Sequence, residues 1–248
     1  MFAIGITPTR TAYMLEAGEP TVYQFVSINH ISRHLLAATI AHEDEQLGIR
    51  KGAFDLTDFQ ARAQAYFQGQ PDPSGSTIPQ QLVKNIFLWD DQSAVRKGIE
   101  AVLATQFSYT LSAPRTLELY LNYAQFGPHL YGICAASWYY FGTPPWNMTD
   151  YQSAQLMGVL PLPDLVRRDP NGGIYLGNGV HPAVWNLVNG AANVWVPRQL
   201  AGMGGWEATV ATVGITDTAD SHGDERSGAD ACSTMPQSVR DRINNEAG

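Results

Sequence analysis

Between residues 30 and 163 apolar positions recur at helical spacing, and no sustained apolar–polar alternation competes with them. Ser32 stands as a cap before the apolar stretch Leu35 to Ala41, which predicts a helix reaching Glu43, with Gly48 at a C′ position. Residues 56 to 69 read as a helix carrying Phe59, Ala63, Tyr66 and Phe67 on one side. A further helix begins near Thr77, and a long one runs from about Ser93 to Leu111. Ser112 caps the next, with Pro114 in its first turn, as far as about Tyr123. Residues 131 to 141 are aromatic and small until Gly142 to Pro145 interrupts them. Thr149-x-x-Gln152 then forms a capping box for a helix through Leu160, stopped by Pro161 and Pro163. Only Val22 to Ile28 has β character, so the fold class predicted is mostly α.

After about residue 175 the pattern changes. Trp185, Trp195 and Trp206 lie among glycines in a stretch that can pack on the helical part. Residues 216 to 238 are rich in Asp, Ser, Thr, Gly and Ala and read as disordered. The division expected is a domain over 1–175 and an extension over 176–248, partly packed and then largely disordered.

Composition narrows the class. The 248 residues are 44% hydrophobic and 15% charged, as in a globular chain. A net charge of -8 argues against nucleic acid as a partner. No apolar run approaches the roughly 18 residues of a membrane span, and Met1 to Arg10 lacks the features of a signal peptide. The chain is therefore expected to be soluble, or a piece of something longer. Cys134 lies in an apolar helical pattern and is expected to be a buried thiol, although pairing with Cys232 is open to it. No CxxC pair or His/Cys cluster points to structural zinc.

The densest chemistry lies in Gly75-Ser76-Thr77-Ile78-Pro79-Gln80-Gln81-Leu82-Val83-Lys84-Asn85. Thr77-x-x-Gln80 fits a capping box, and Gln80 and Lys84 share a helix face that Gln81 borders. Free N–H groups, amides, a hydroxyl and a cation at one helix end suit a phosphate or a sugar, while a well-capped surface helix fits the same pattern. Glu43 sits in His42-Glu43-Asp44-Glu45 at a helix C-terminus, where the macrodipole and neighbouring acids favour the protonated carboxyl, as a catalytic acid or base requires. Glu100 follows Arg96 and Lys97 at i+4 and i+3, a spacing that solvated ion pairs also show.

In this order, Glu43-Asp44, the segment Gly75 to Asn85, Arg96-Lys97-x-x-Glu100, and Glu118-Leu119-Tyr120-Leu121-Asn122 with Phe126-Gly127 resemble the family-51 glycosyltransferases. These are the peptidoglycan polymerases found as monofunctional enzymes and as the amino-terminal half of bifunctional penicillin-binding proteins. Tyr131-Gly132-Ile133, Tyr140-Phe141-Gly142 and Leu156 to Pro163 continue the likeness, which covers about residues 22 to 170.

The resemblance implies a mostly α, lysozyme-like fold of two lobes with a small membrane-facing jaw, for which Phe59 to Phe67 is the candidate. It implies that lipid II is joined to a growing glycan chain at the outer, periplasmic face of the bacterial cytoplasmic membrane. An acceptor 4-hydroxyl attacks C1, and undecaprenyl pyrophosphate departs. Glu43 would be the catalytic base and Glu100 the second catalytic carboxylate. Lys84, Arg96 and Lys97 would neutralise pyrophosphate. Asp44, Ser76, Thr77, Gln81 and Asn85 would shape the sugar and phosphate site. A divalent cation, Mg or Mn, is the one cofactor to consider, and other cell-wall synthesis proteins are the further partners.

Where the family usually has an aromatic residue and a histidine after the Glu-Asp pair, this chain has Leu47 and Arg50, keeping Gly52 and Asp55. Gln152 replaces a glutamate that would cap the same helix. Glu118 reads as structural, orienting its helix. Besides a polymerase, two readings fit: an accessory protein that binds glycan with little turnover, and a lytic enzyme of lysozyme type.

Overall fold

The structure, a computed structural model, describes residues 7–18, 20–54, 76–87, 94–217 and 228–247. The helix expected over 56–69, and with it the jaw candidate Phe59 to Phe67, lies outside the described residues. The rest is built of helices around a small sheet.

Helix α1 (Ala12–Ala17) precedes the short strand β1 (Val22–Tyr23) and helix α2 (Arg33–Glu43). Ser32 caps α2 without a side-chain bond to it, because its hydroxyl donates to the carbonyl of Met148 at 2.8 Å. Helices α3 (Ile78–Phe87), α4 (Ala94–Thr110) and α5 (Ala113–Tyr123) follow. In α5 the Ser112 hydroxyl accepts from the Arg115 N–H, with Pro114 in the first turn. Strands β2 (Gln125–Gly127) and β3 (Leu130–Tyr131) complete a three-stranded sheet ordered β1-β3-β2. With β3 parallel to β1 and antiparallel to β2, each strand spans two or three residues, too few to show an alternating pattern.

Helix α6 (Ile133–Phe141) ends at Gly142, which adopts the left-handed conformation at φ 62°. Helix α7 (Asp150–Val159) begins with the expected capping box, both bonds between Thr149 and Gln152 being made. Helix α8 (Pro182–Gly190), a π-helical turn (Ala191–Trp195), and helices α9 (Val196–Gly202) and α10 (Trp206–Thr212) come next, and α11 (Gln237–Ala247) is last.

One apolar core gathers Leu35, Leu36 and Ile40 of α2 with Leu156 and Met157 of α7, and with Val184, Val188, Val196 and Val210 from beyond residue 175. Helices α7 and α8 approach so closely that a Cβ on Gly158 would run into the backbone of Leu187 and Val188. The segment after 175 thus continues the same core. Arg33, 3% exposed, fastens its end with two hydrogen bonds to Asp217, at 2.9 and 2.6 Å.

Two expectations are corrected. Cys134 is not a thiol: it forms a disulfide with Cys232, across 98 residues of sequence. Its apolar helical setting was read properly, but a partner so distant in sequence is visible only in three dimensions. Nor are residues 228 to 238 structureless. Ala231 and Cys232 are buried, the Trp138 indole donates to the carbonyl of Cys232 at 2.9 Å, and Tyr139 donates to Glu246 of α11 at 2.7 Å. Polar composition signals disorder only where no cross-link or partner surface offsets the entropy of ordering. Residues 218–227 lie outside the described ones.

Burial pushes the hydroxyls of Tyr123, Tyr131 and Tyr139 up from 10.0 to about 12. Below pH 10 these groups are protonated in folded and unfolded chains alike. From pH 10 to about 12 the unfolded chain releases the protons and the folded chain keeps them, so the folded state binds more protons and stability falls as pH rises. Denaturant melts at pH 9, 10.5 and 11.5 are expected to show that decline, and a flat profile would contradict it.

Candidate active site

Glu43 is the last residue of α2, and a carboxylate at a helix C-terminus gains nothing from the helix dipole. Its position is set from outside. Oε2 accepts from the Gln81 amide of α3 at 2.9 Å and from the Tyr120 hydroxyl of α5 at 3.3 Å. Gln81 is itself fixed, its amide also donating to the Ser76 carbonyl at 2.8 Å and its Oε1, at 3.0 Å from the Tyr120 hydroxyl, sharing that group's one hydrogen with Glu43. Three helices thereby converge on one carboxylate oxygen. Oε1 receives no hydrogen bond from any described residue.

Tyr120 is buried, and its pKa is raised well above 10.0, first by desolvation and then by the charge and hydrogen bond of Glu43. Its hydroxyl therefore stays protonated and keeps donating wherever the protein is folded.

Asp44, the C-cap of α2, does different work. Arg50 donates to both of its oxygens, at 2.7 and 2.8 Å, and the backbone N–H of Ile78 at the start of α3 donates to Oδ2 at 3.1 Å. The pair is enclosed, with side-chain exposures of 9% for Arg50 and 3% for Asp44. Asp44 thus ties the end of α2, the turn at 50–52 and the beginning of α3 into one joint. Arg50 also donates to the Gly52 carbonyl at 3.0 Å.

Thr77 is similarly turned inward. Its hydroxyl donates to the Ala53 carbonyl at 2.6 Å and its N–H to Gln80 Oε1 at 3.1 Å, the latter being one arm of the expected capping box. At this helix start the N–H groups of Thr77 and Ile78 are taken by Gln80 and Asp44, so neither is free for a ligand. Asp44 and Thr77, both expected at the sugar and phosphate site, are instead buried and engaged within the protein.

Beside this joint opens a cavity of about 280 Å³, lined by Gln81, Lys84 and Asn85 of α3, by Tyr120, by Tyr13 of α1 and by residues 160–165. Lys84 lies over the Tyr13 ring, 5.6 Å from its centre, where the ring face attracts the ammonium. Gln81 and Tyr120, which hold Glu43, line this cavity together with Lys84 and Asn85; Glu43 itself is not among its lining residues. Ser76 borders them through its carbonyl.

Glu100, Arg96 and Lys97 form a separate cluster on α4, which packs on α3, and none of the three lines this cavity. Glu100 is 2% exposed, accepting from Lys97 at 2.6 Å and from Arg96 at 3.2 Å. It is therefore an enclosed carboxylate held by two cations and not a solvated pair.

Glu118 is structural, as expected: it accepts from the Ile28 N–H at 2.8 Å and pairs with Arg115. Asn122, one turn on, bonds both ways with the backbone of Val26, at 2.8 Å each. Sequence reasoning assigned no role to Tyr120, although it stands inside the Glu118-to-Asn122 motif, or to Tyr13 and residues 160–165, which become neighbours of α3 only by folding. Leu47, the other departure, is a core residue at 9% exposure.

Among the described residues no three His, Cys, Asp or Glu side chains converge, and Asp44 has its oxygens committed to Arg50 and Ile78.

A helical fold with a carboxylate clamped beside a cationic, amide-lined cleft is the arrangement of a sugar-transferring enzyme, and comparison with known proteins agrees. The family model described as Transglycosylase matches residues 11–173, and the chain belongs to that family. A biosynthetic peptidoglycan transglycosylase of a Marinomonas species is 37% identical over 161 residues, 65% of this chain and 70% of the relative. One of Shewanella frigidimarina is 35% identical over 166 residues, 67% and 72% of the two chains. A third, of Pasteurella multocida, is 40% identical over 141 residues, 57% of each.

Replacing Arg50 with Met leaves Asp44 buried without its cation and is expected to destabilise the fold by about 3–5 kcal/mol. The double variant D44N/R50M should recover part of that loss. Urea unfolding of wild type, D44N, R50M and the double variant measures the coupling, and a double-variant loss equal to the sum of the two single losses would show the pair to be uncoupled.

Proposed function

We propose that this protein is a peptidoglycan glycosyltransferase that polymerises lipid II into glycan strands with release of undecaprenyl pyrophosphate. The observation that carries the reading is the clamped Glu43 carboxylate, one oxygen held by Gln81 and Tyr120, both of which line a cleft with Lys84 and Asn85, and the other without a hydrogen bond from any described residue. Family membership and the names of the relatives support it.

In this mechanism the acceptor 4-hydroxyl gives its proton to Glu43 Oε1 as its oxygen attacks C1 of the donor sugar. The C1–O bond to pyrophosphate breaks, with inversion, and the electron pair leaves on the pyrophosphate. Gln81 and Tyr120 keep Oε2 still, so the base does not have to be reoriented in the transition state. Lys84 offsets charge developing on the leaving group. Ser76 and Asn85 complete the sugar and phosphate contacts. Arg96 and Lys97, held around Glu100, serve the donor side of the site from α4.

Helix α4 also supports contact with a membrane surface. Although Leu103, Ala104 and Phe107 pack inward, one face carries Val95, Val102 and Tyr109 outward at 74%, 69% and 73% exposure and Ile99 at 40%. An apolar stripe turned away from the core suits a lipid interface that holds the substrate's lipid tail. No described helix is long and apolar enough to cross a membrane. The disulfide between Cys134 and Cys232 favours folding in an oxidising compartment, consistent with the outer face of the cytoplasmic membrane.

With lipid II in detergent, wild type should form polymer. E43Q should lose about 10²–10⁴-fold in kcat, the range associated with general base catalysis, with unchanged circular dichroism. Y120F should lower kcat by about tenfold with KM near wild type, since a single hydrogen bond to a charged group is removed. Polymer from E43Q at the wild-type rate would refute the assignment. V102D should weaken sedimentation with anionic vesicles while leaving the melting temperature unchanged, and undiminished sedimentation would remove α4 from the membrane contact.

A further inference from the structure

We infer that a second cavity, adjoining the cleft, is an oxyanion subsite that binds a carboxylate on the peptide branch of the substrate glycan; this rests on the polymerase reading. The cavity measures about 620 Å³ and is bordered by Arg167, Arg168, Tyr175, Asn178 and His181. Asp164 and Leu165 line both cavities, so a ligand in the cleft continues into the second around these two residues.

The donors in this cavity outnumber what the protein itself uses. Arg167 is exposed, and its side chain bonds to no described residue. The Arg168 guanidinium is anchored from behind: Nε donates to the Tyr139 carbonyl at 2.6 Å, and Nη1 to the carbonyls of Asp169 and Pro170 at 3.1 and 3.4 Å. Its Nη2 has no acceptor among the described residues. His181 caps α8 by accepting the Ala183 N–H on Nδ1 at 3.2 Å, so the neutral ring carries its proton on Nε2 and presents a further donor. Tyr175 is committed, donating to the Asn178 carbonyl at 2.8 Å and bracing the loop between them. The one acid at the border, Asp164, already accepts from Gln125 at 2.7 Å.

Two guanidinium ends and an imidazole N–H call for an oxyanion; the unengaged planar fork of Arg167 matches a carboxylate, and Arg168 adds a single donor, Nη2. Pyrophosphate is accounted for by Lys84 in the first cavity. The remaining anionic groups of a peptidoglycan precursor are the carboxylates of the peptide attached to its muramyl ring, a short distance from the sugar. The family match ends at residue 173, whereas Tyr175, Asn178 and His181 lie beyond it, so half of this cavity is built from the chain's own continuation.

The test uses the full chain and a soluble muramyl peptide, with its carboxylates free or amidated, titrated by calorimetry. Wild type should bind the free form about tenfold tighter, the size of one hydrogen-bonded charge contact. R167E should abolish that preference with unchanged circular dichroism. In the lipid II assay R167E should raise KM about tenfold with kcat within twofold, and lipid II with amidated carboxylates should be used equally by both proteins.

Equal binding of the two peptides by wild type, or an R167E effect that is the same for both, overturns the inference. Displacement of the peptide by inorganic pyrophosphate, seen in wild type and lost in R167E, reassigns the cavity to phosphate and overturns it as well. A carboxylate preference without polymer formation would sink the polymerase reading alone and leave the subsite standing.

Discussion

The carboxylate of Asp44 is the constraint on which the site depends. It accepts from Arg50 at both oxygens and from the Ile78 N–H, joining three segments that are separate in sequence. Because Ile78 opens α3, the direction of that helix follows from where Asp44 stands, and so does the position of Gln81 one turn later. Glu43, the neighbour of Asp44, is thereby brought to the Gln81 amide. A buried carboxylate with three donors loses several kcal/mol if its cation is removed, so the joint has one favourable arrangement. Arg50, a departure from the family's usual histidine, is compatible with this role because its planar fork meets both oxygens together.

Helix α5 supplies the second fixed surface. From Thr116 to Tyr123 every residue is buried, yet five of the eight carry polar groups. Glu118 and Asn122 tie down residues 26 to 28, and Tyr120 reaches the other way, to Glu43 and Gln81. Within five residues the helix therefore anchors the β1 side of the fold and steadies the candidate base. On helix α4, Arg96 and Glu100 are buried while Val95, Val102 and Tyr109 are exposed.

The region beyond residue 175 is part of the same construction. Val184, Val188 and Val210 join the core, Trp195 stacks on His42 beside Glu43, and Gly48 lies so close to Thr212 that a side chain there would strike its carbonyl. The disulfide then draws α11 and the segment around Cys232 against α6. The contacts of Trp195 with His42 and of Thr212 with Gly48 buttress the end of α2 and the turn after it. Hence the site rests on residues both inside and outside the stretch matched by the family model.

The sequence by itself determined the helices from Arg33 to Val159, their capping at Ser112 and Thr149, and the chemical identity of Glu43, Gln81, Lys84 and Asn85, because periodicity and capping are local properties of the chain. It also carried the family, through motifs whose order survives in one dimension. Tertiary structure alone decided that Asp44 and Thr77 turn inward, that Tyr120 holds Glu43, that Glu100 is enclosed by Arg96 and Lys97, and that Cys134 finds Cys232. Each of those outcomes depends on which polar group meets which partner in a space that excludes water. A buried carboxylate or hydroxyl must find donors or acceptors, and only the packed fold determines which ones lie within 3 Å or so.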